Sequence, residues 1–191
     1  MLFGASCTFA PVSDMDLATA RVASDFETYQ LHRVGLVPMR GLDLDVDQER
    51  VLRSAIFTEF SQGTPYEIVP LDESDLEEVQ SSDPYRRGRY EPRTIIDISR
   101  RYELDGVLVA TVTDHQFFEP QRLSMQVDLV ATETGVAIWS GTIHLDASDP
   151  DVRTALRAYC KREDESETWE INLLSPRSFA HFAAHQLARM L

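Results

Sequence analysis

Cysteine is scarce in this chain: Cys7 and Cys160 are the only two in 191 residues. Two cysteines so far apart cannot build the disulfide framework of a small secreted scaffold. Basic charge is short as well. Lys and Arg number 18 against 32 Asp and Glu, a formal net charge of −14. Phosphate backbones are bound by an excess of cations, so nucleic acid is excluded as the main partner, and broad adsorption to anionic lipid with it. No apolar run approaches the roughly 18 residues that a membrane helix needs. The catalytic signatures are missing too. There is no Gly-x-Ser-x-Gly elbow, no P-loop and no dinucleotide glycine pattern. No catalytic, cofactor-binding or metal-ligating residue is therefore assigned.

What remains is a soluble composition with a core. Apolar residues make up 43% of the chain, enough for one globular domain of ordinary size. The start, Met1-Leu2-Phe3-Gly4-Ala5-Ser6-Cys7, is apolar and ends small, small, cysteine. It lacks the basic and long apolar regions of a whole signal peptide. It looks like the tail of a bacterial lipoprotein signal, with Ala5 and Ser6 in keeping and Gly4 where a leucine is usual. Two readings stand side by side. Either Cys7 is a lipid attachment site at the head of a tether, or it belongs to a short apolar start that packs or dangles. The first divides the chain into an anchor and tether over 1–13 and a single α/β domain over 14–191.

Periodicity organises the rest. Met15, Ala18, Val22, Phe26 and Tyr29 fall at helical spacing and predict a helix over Asp14 to Gln30. Arg33 to Met39 and Tyr66 to Leu71 read as short strands. The helix between them runs from Asp47 to Ser61. Val51, Leu52, Ala55, Ile56 and Phe60 mark its buried face, and Glu59 falls inside that face, at the rim or through a slight mis-phasing. A short acidic helix over Asp72 to Gln80, an arginine-bearing loop over Ser81 to Pro92 and a helix over Arg93 to Tyr102 follow. Val107 to Phe118 begins apolar on both faces, as a central strand does. After Pro120 the chain alternates strictly, with Leu123, Met125, Val127 and Leu129 on one face. Thr132-Glu133-Thr134-Gly135 turns it back, and Ala137, Trp139, Ile143 and Leu145 return on the same face. Helices over Asp149 to Lys161 and from Ser175-Pro176 onward complete the chain. Strand–helix–strand units imply parallel neighbours, and hairpins imply antiparallel ones. The expected architecture is a single mixed five-stranded sheet, a parallel βαβ part followed by an antiparallel meander, packed with helices.

Four clusters could carry chemistry. His181 and His185 stand four apart on the last helix, a zinc-binding spacing, but Phe182 stands where a His-Glu-x-x-His motif has its glutamate. The helical wheel turns both away from Phe179 and Met190, toward solvent. Asp114-His115 reads as strand-end polarity. Arg86-Arg87-Gly88-Arg89 between Tyr85 and Tyr90 is a basic aromatic loop that could grip RNA or a phosphate, but in so acidic a chain it reads as a loop that meets the chain's own acidic segments or an acidic partner. Cys160 reads as a small buried hydrophobe.

One resemblance ties these segments together. Arg33 to Met39, then Leu104-Asp105-Gly106-Val107-Leu108-Val109, then Leu129 to Gly135 with Trp139-Ser140, is similar to the bacterial envelope family of CsgG- and LpoB-like lipoprotein domains and to the TolB amino-terminal domain. It covers roughly Arg33 to Leu145. Ala131 replaces the aspartate usual before the turn, and the pore-forming insertions of the curli channel have no counterpart here. The resemblance implies a non-enzymatic, envelope-facing domain that binds other envelope proteins. It would need no cofactor, meet the membrane only through a lipid on Cys7, and leave oligomerisation open. A genuine start at Met1 favours instead a cytoplasmic ligand-binding or adaptor domain. A small hydrolase or transferase with a site in the loop from Ser81 to Pro92 is the other alternative.

Overall fold

The alternation that begins at Leu123 folds as the pattern requires. Strands β5 (Gly106–Gln116), β6 (Arg122–Ala131) and β7 (Ala137–Asp146) form an antiparallel meander. This computed structural model describes residues 16–41, 44–77, 92–163 and 173–191. Leu123, Met125, Val127, Leu129, Trp139, Ile143 and Leu145 all lie in one core. The hairpin closes where Gly135 donates its N–H to the Ala131 carbonyl at 2.8 Å, with Gly135 at φ 68°. That left-handed backbone penalises a Cβ, above all a branched one. Replacing Gly135 with valine is expected to cost about 1 kcal/mol or more of folding stability, measured by urea unfolding. An unchanged midpoint would refute the requirement. One detail of the hairpin differs from expectation. A register shift between Leu129 and Val130 turns Ala137 out to solvent and Ile138 in.

The parallel part also forms. β2 (Arg33–Leu36) lies between β4 (Glu67–Pro70) and β5, parallel to both. A two-residue strand, β3 (Arg40–Gly41), extends the line beside β5. Helix α1 (Val46–Gly63) joins β2 to β4, and its start is fixed by a capping box between Asp45 and Gln48. Helices α2 (Glu73–Glu77) and α3 (Pro92–Tyr102) lead back to β5. α4 (Pro150–Glu163) and α5 (Pro176–Ala188) follow the meander, with Ser175 capping α5 and Pro176 opening it.

The sheet is mixed but has a sixth full member. Its hydrogen-bonded order is β1-β7-β6-β5-β2-β4, where β1 spans Ala18–Val22. That segment was expected to be helical. It pairs antiparallel with β7 instead, Ala18 opposite Ile143 and Val22 opposite Trp139. A single 3-10 turn, Phe26–Thr28, follows. The helical spacing misleads because its members do not share a buried face: Ala18 is buried while Val22 is 56% exposed. Thr19 and Val22 are β-branched and suit a strand. The open edge of β7 pairs with the segment and takes up its backbone groups.

Helices α1, α4 and α5 cover one face of the sheet. On the other, Ile95 and Ile98 of α3 pack with Leu104, Val107, Val109 and Val130, over the parallel end. Ser124, Gln126, Ser140 and Thr142 point to the same side farther along and stay half-exposed, while His144 is exposed. A cavity of about 480 Å³ opens there over Arg21, Gln126, Ser140 and Thr142. At one end of the sheet, Asp105 holds the strands in place. Its Oδ2 accepts the His32 and Arg33 N–H groups, each at 2.9 Å. The Thr132 hydroxyl donates to the Leu104 and Asp105 carbonyls, also at 2.9 Å. The aspartate of the crossover and the first threonine of the hairpin loop thus belong to one clasp.

Candidate functional site

Glu59 lies in the buried face of α1, and it is the residue around which titratable groups gather. It is 9% exposed. Tyr159 of α4 donates its hydroxyl to Oε1 at 2.9 Å. His181 of α5 meets the same oxygen through Nδ1 at 2.9 Å, and His185 meets Oε2 through Nδ1 at 3.2 Å. A carboxylate only accepts, so both imidazoles carry their proton on Nδ1. The Tyr159 ring lies 5.3 Å from that of His185 and 5.6 Å from that of Phe182. Burial pulls the Glu59 carboxyl upward. Hydrogen bonds from His181, His185 and Tyr159 outweigh it and bring the group down from 4.5 to about 2. Glu59 is therefore an ionised carboxylate with its lone pairs in use, joining three helices.

This arrangement corrects the sequence reading of the two histidines. They do not face solvent; their side chains are 23% and 22% exposed and point at α1. A helix with a single apolar side would leave them in solvent. In fact α5 is buried on nearly every side, from Phe179 and Ala180 through Gln186 to Ala188. The side opposite Phe179 therefore meets other helices. Nor is Glu59 at a rim or out of phase. It sits in the core because its partners come with it. The signal was present as a carboxylate on a buried helical face and a histidine pair at four-residue spacing, but nothing local links them.

Beside the cluster is a cavity of about 240 Å³, lined by Thr58, Gln62, Arg177 and Ser178 as well as Glu59 and His181. A carboxylate that orients an imidazole is two-thirds of a nucleophilic triad. Among the described residues, His181 makes no hydrogen bond to a serine, threonine or cysteine. No group of three His, Cys, Asp or Glu side chains among them is placed to hold a metal ion.

The other candidates are dispersed. His115 Nε2 lies 3.1 Å from the Gln48 amide oxygen, and its ring lies 5.5 Å from that of Phe117. Asp114 faces Arg122 at 4.0 Å. Cys160 is buried, as expected. Cys7 and the arginines of Arg86 to Arg89 lie outside the described residues.

No family model matches the chain, and no curated protein matches it. It is similar to solved structures at low identity. The PelC dodecamer from Paraburkholderia phytofirmans aligns over 72% of this chain and 87% of its own, at 12% identity and a TM-score of 0.48. Lipoprotein GNA1162 from Neisseria meningitidis aligns over 60% and 79%, at 18% identity and TM-score 0.46. The LpoB C-terminal domain from Salmonella enterica aligns over 60% and 83%, at 16% identity and TM-score 0.42. LpoB, named from the sequence pattern, is thus among the chains this one is similar to; the CsgG and TolB resemblance rests on the pattern alone.

Proposed function

We propose that the chain is the body of a non-catalytic, envelope-facing lipoprotein that works through contacts with other envelope proteins. The observation that carries this reading is the half-covered sheet. Helices cover one face over β5, β6 and β7. The other face, over β6, β7 and β1, keeps Ser124, Gln126, Ser140, Thr142 and His144 toward solvent. A broad hydroxyl- and amide-bearing surface suits a macromolecular contact, whose rim is polar and wet. The start Phe3-Gly4-Ala5-Ser6-Cys7 supports a lipid on Cys7, and the pattern from Arg33 to Leu145 supports the family. Two or three acyl chains, at about 0.8 kcal/mol per buried methylene, would anchor it stably. The acidic body would stay off anionic headgroups and remain available to partners.

Expression with the native upstream sequence, followed by membrane fractionation, tests the anchor. Wild type is expected in the membrane fraction and Cys7→Ser in the soluble one. Equal soluble amounts with no lipid mass on either would end the lipoprotein reading. A second reading, a small hydrolase or transferase, draws on the Glu59–His181 pair at its cavity. Turnover of ester or phosphoester substrates that His181→Ala abolishes would favour it.

A further inference from the structure

We infer that β1 is a docking edge for an extended acidic strand of another protein, one that alternates apolar and acidic side chains. This deepens the contact reading, on which it rests, by naming the partner's chemistry. In the β1–β7 ladder Ala23 gives its N–H to Ile138, so residues 19, 21 and 23 bond inward. The N–H and C=O groups of Ala18, Ala20 and Val22 then point away from the sheet, at the end of its strand order. Edges are normally blunted by proline, a bulge or charged side chains. β1 reads Ala-Thr-Ala-Arg-Val, has neither proline nor bulge, and carries a single charge, Arg21, on the open face. It is a ready template for one more strand.

Side chains select the occupant. Thr19 and Arg21 stand on the open polar face, and Ala20 and Val22 on the core side. Val22 is apolar and exposed. Among the described residues, none gives the Arg21 side chain an ion pair or hydrogen bond. An incoming strand would cover Val22 and Ala20 with apolar side chains and set a carboxylate beside Arg21. A second copy fits less well. An antiparallel pair centred on Ala20 would place each Arg21 opposite Thr19 and near the other Arg21.

The test uses the full chain and synthetic peptides of alternating valine and glutamate, alternating valine and lysine, and the glutamate peptide N-methylated on alternate amides. Fluorescence anisotropy reads affinity, and amide hydrogen exchange reads the site. The glutamate peptide should bind and newly protect the Ala18, Ala20 and Val22 amides. The lysine and N-methylated peptides should bind at least about tenfold more weakly, the equivalent of 1.4 kcal/mol. Arg21→Glu, an exposed change, should reverse the preference toward lysine. Equal binding of the glutamate and lysine peptides, no binding, or protection elsewhere would overturn the proposal. So would protection of those amides before any peptide is added, in a dimer or in a monomer. None of these failures touches the Cys7 fractionation, so the two readings fail separately.

Discussion

Glu59→Ala should lose about 3 kcal/mol of folding stability, because it removes a buried carboxylate that accepts hydrogen bonds from three side chains. For a domain of this size the melting temperature falls by roughly 6–12 °C. The physical cause is an orphaning. Without the carboxylate, the Tyr159 hydroxyl and two imidazole N–H groups lose their acceptor between packed helices. The sign of the pH dependence follows. The folded value is depressed, so the contribution of Glu59 is complete above its unfolded value of 4.5. It drains away as pH falls toward 2. Urea unfolding of wild type and Glu59→Gln should therefore give curves whose separation is widest at neutral pH and narrows below 4.5. A separation that stays constant down to pH 2.5 would refute the carboxylate's role as an ionised hub.

Trp139→Ala should cost about 4 kcal/mol, at the upper end of what core truncations do. The indole is 1% exposed. It meets Phe60 edge-on, with ring centroids 6.2 Å apart, and its Nε1–H reaches the Met190 carbonyl at 2.9 Å. Gly141 leaves the room it needs: a Cβ there would stand 2.4 Å from the far corner of the ring. Trp139→Phe keeps part of the ring but strands the Met190 carbonyl, so a smaller loss of roughly 1–3 kcal/mol is expected. Denaturant unfolding with matched m-values measures both. A loss under about 1 kcal/mol for the alanine variant would mean that the indole is not the keystone of this layer.

The parts of the fold that were legible in the sequence are those whose signal is local. Leu123 to Leu145 alternates with period two around a glycine turn, and strand, turn and buried face all follow from neighbours in the chain. Ser175-Pro176 marks a helix start in the same way. β1 was not legible, because its five residues alternate weakly and become a strand only when β7 is beside them. The Glu59 cluster was not legible for a related reason. Tyr159 is 100 residues from Glu59, and His181 is 122. Only Glu59 looked misplaced, a charge on a buried face; the histidines lay on a side read as wet. The α1–α5 contact alone makes them one feature.

The position of β1 bears on how the protein is made. Ala18–Val22 leaves the ribosome among the first residues of the described domain, yet its ladder partners are Trp139–Ile143. About 120 residues must be synthesised in between, on the order of ten seconds at typical elongation rates. For that interval the strand has no native neighbour. During synthesis it can pair only after β7 has emerged. A nascent chain stalled short of Trp139 should therefore leave the Ala18–Val22 segment open to protease and to holdase chaperones, while one released past Ile143 should shield it.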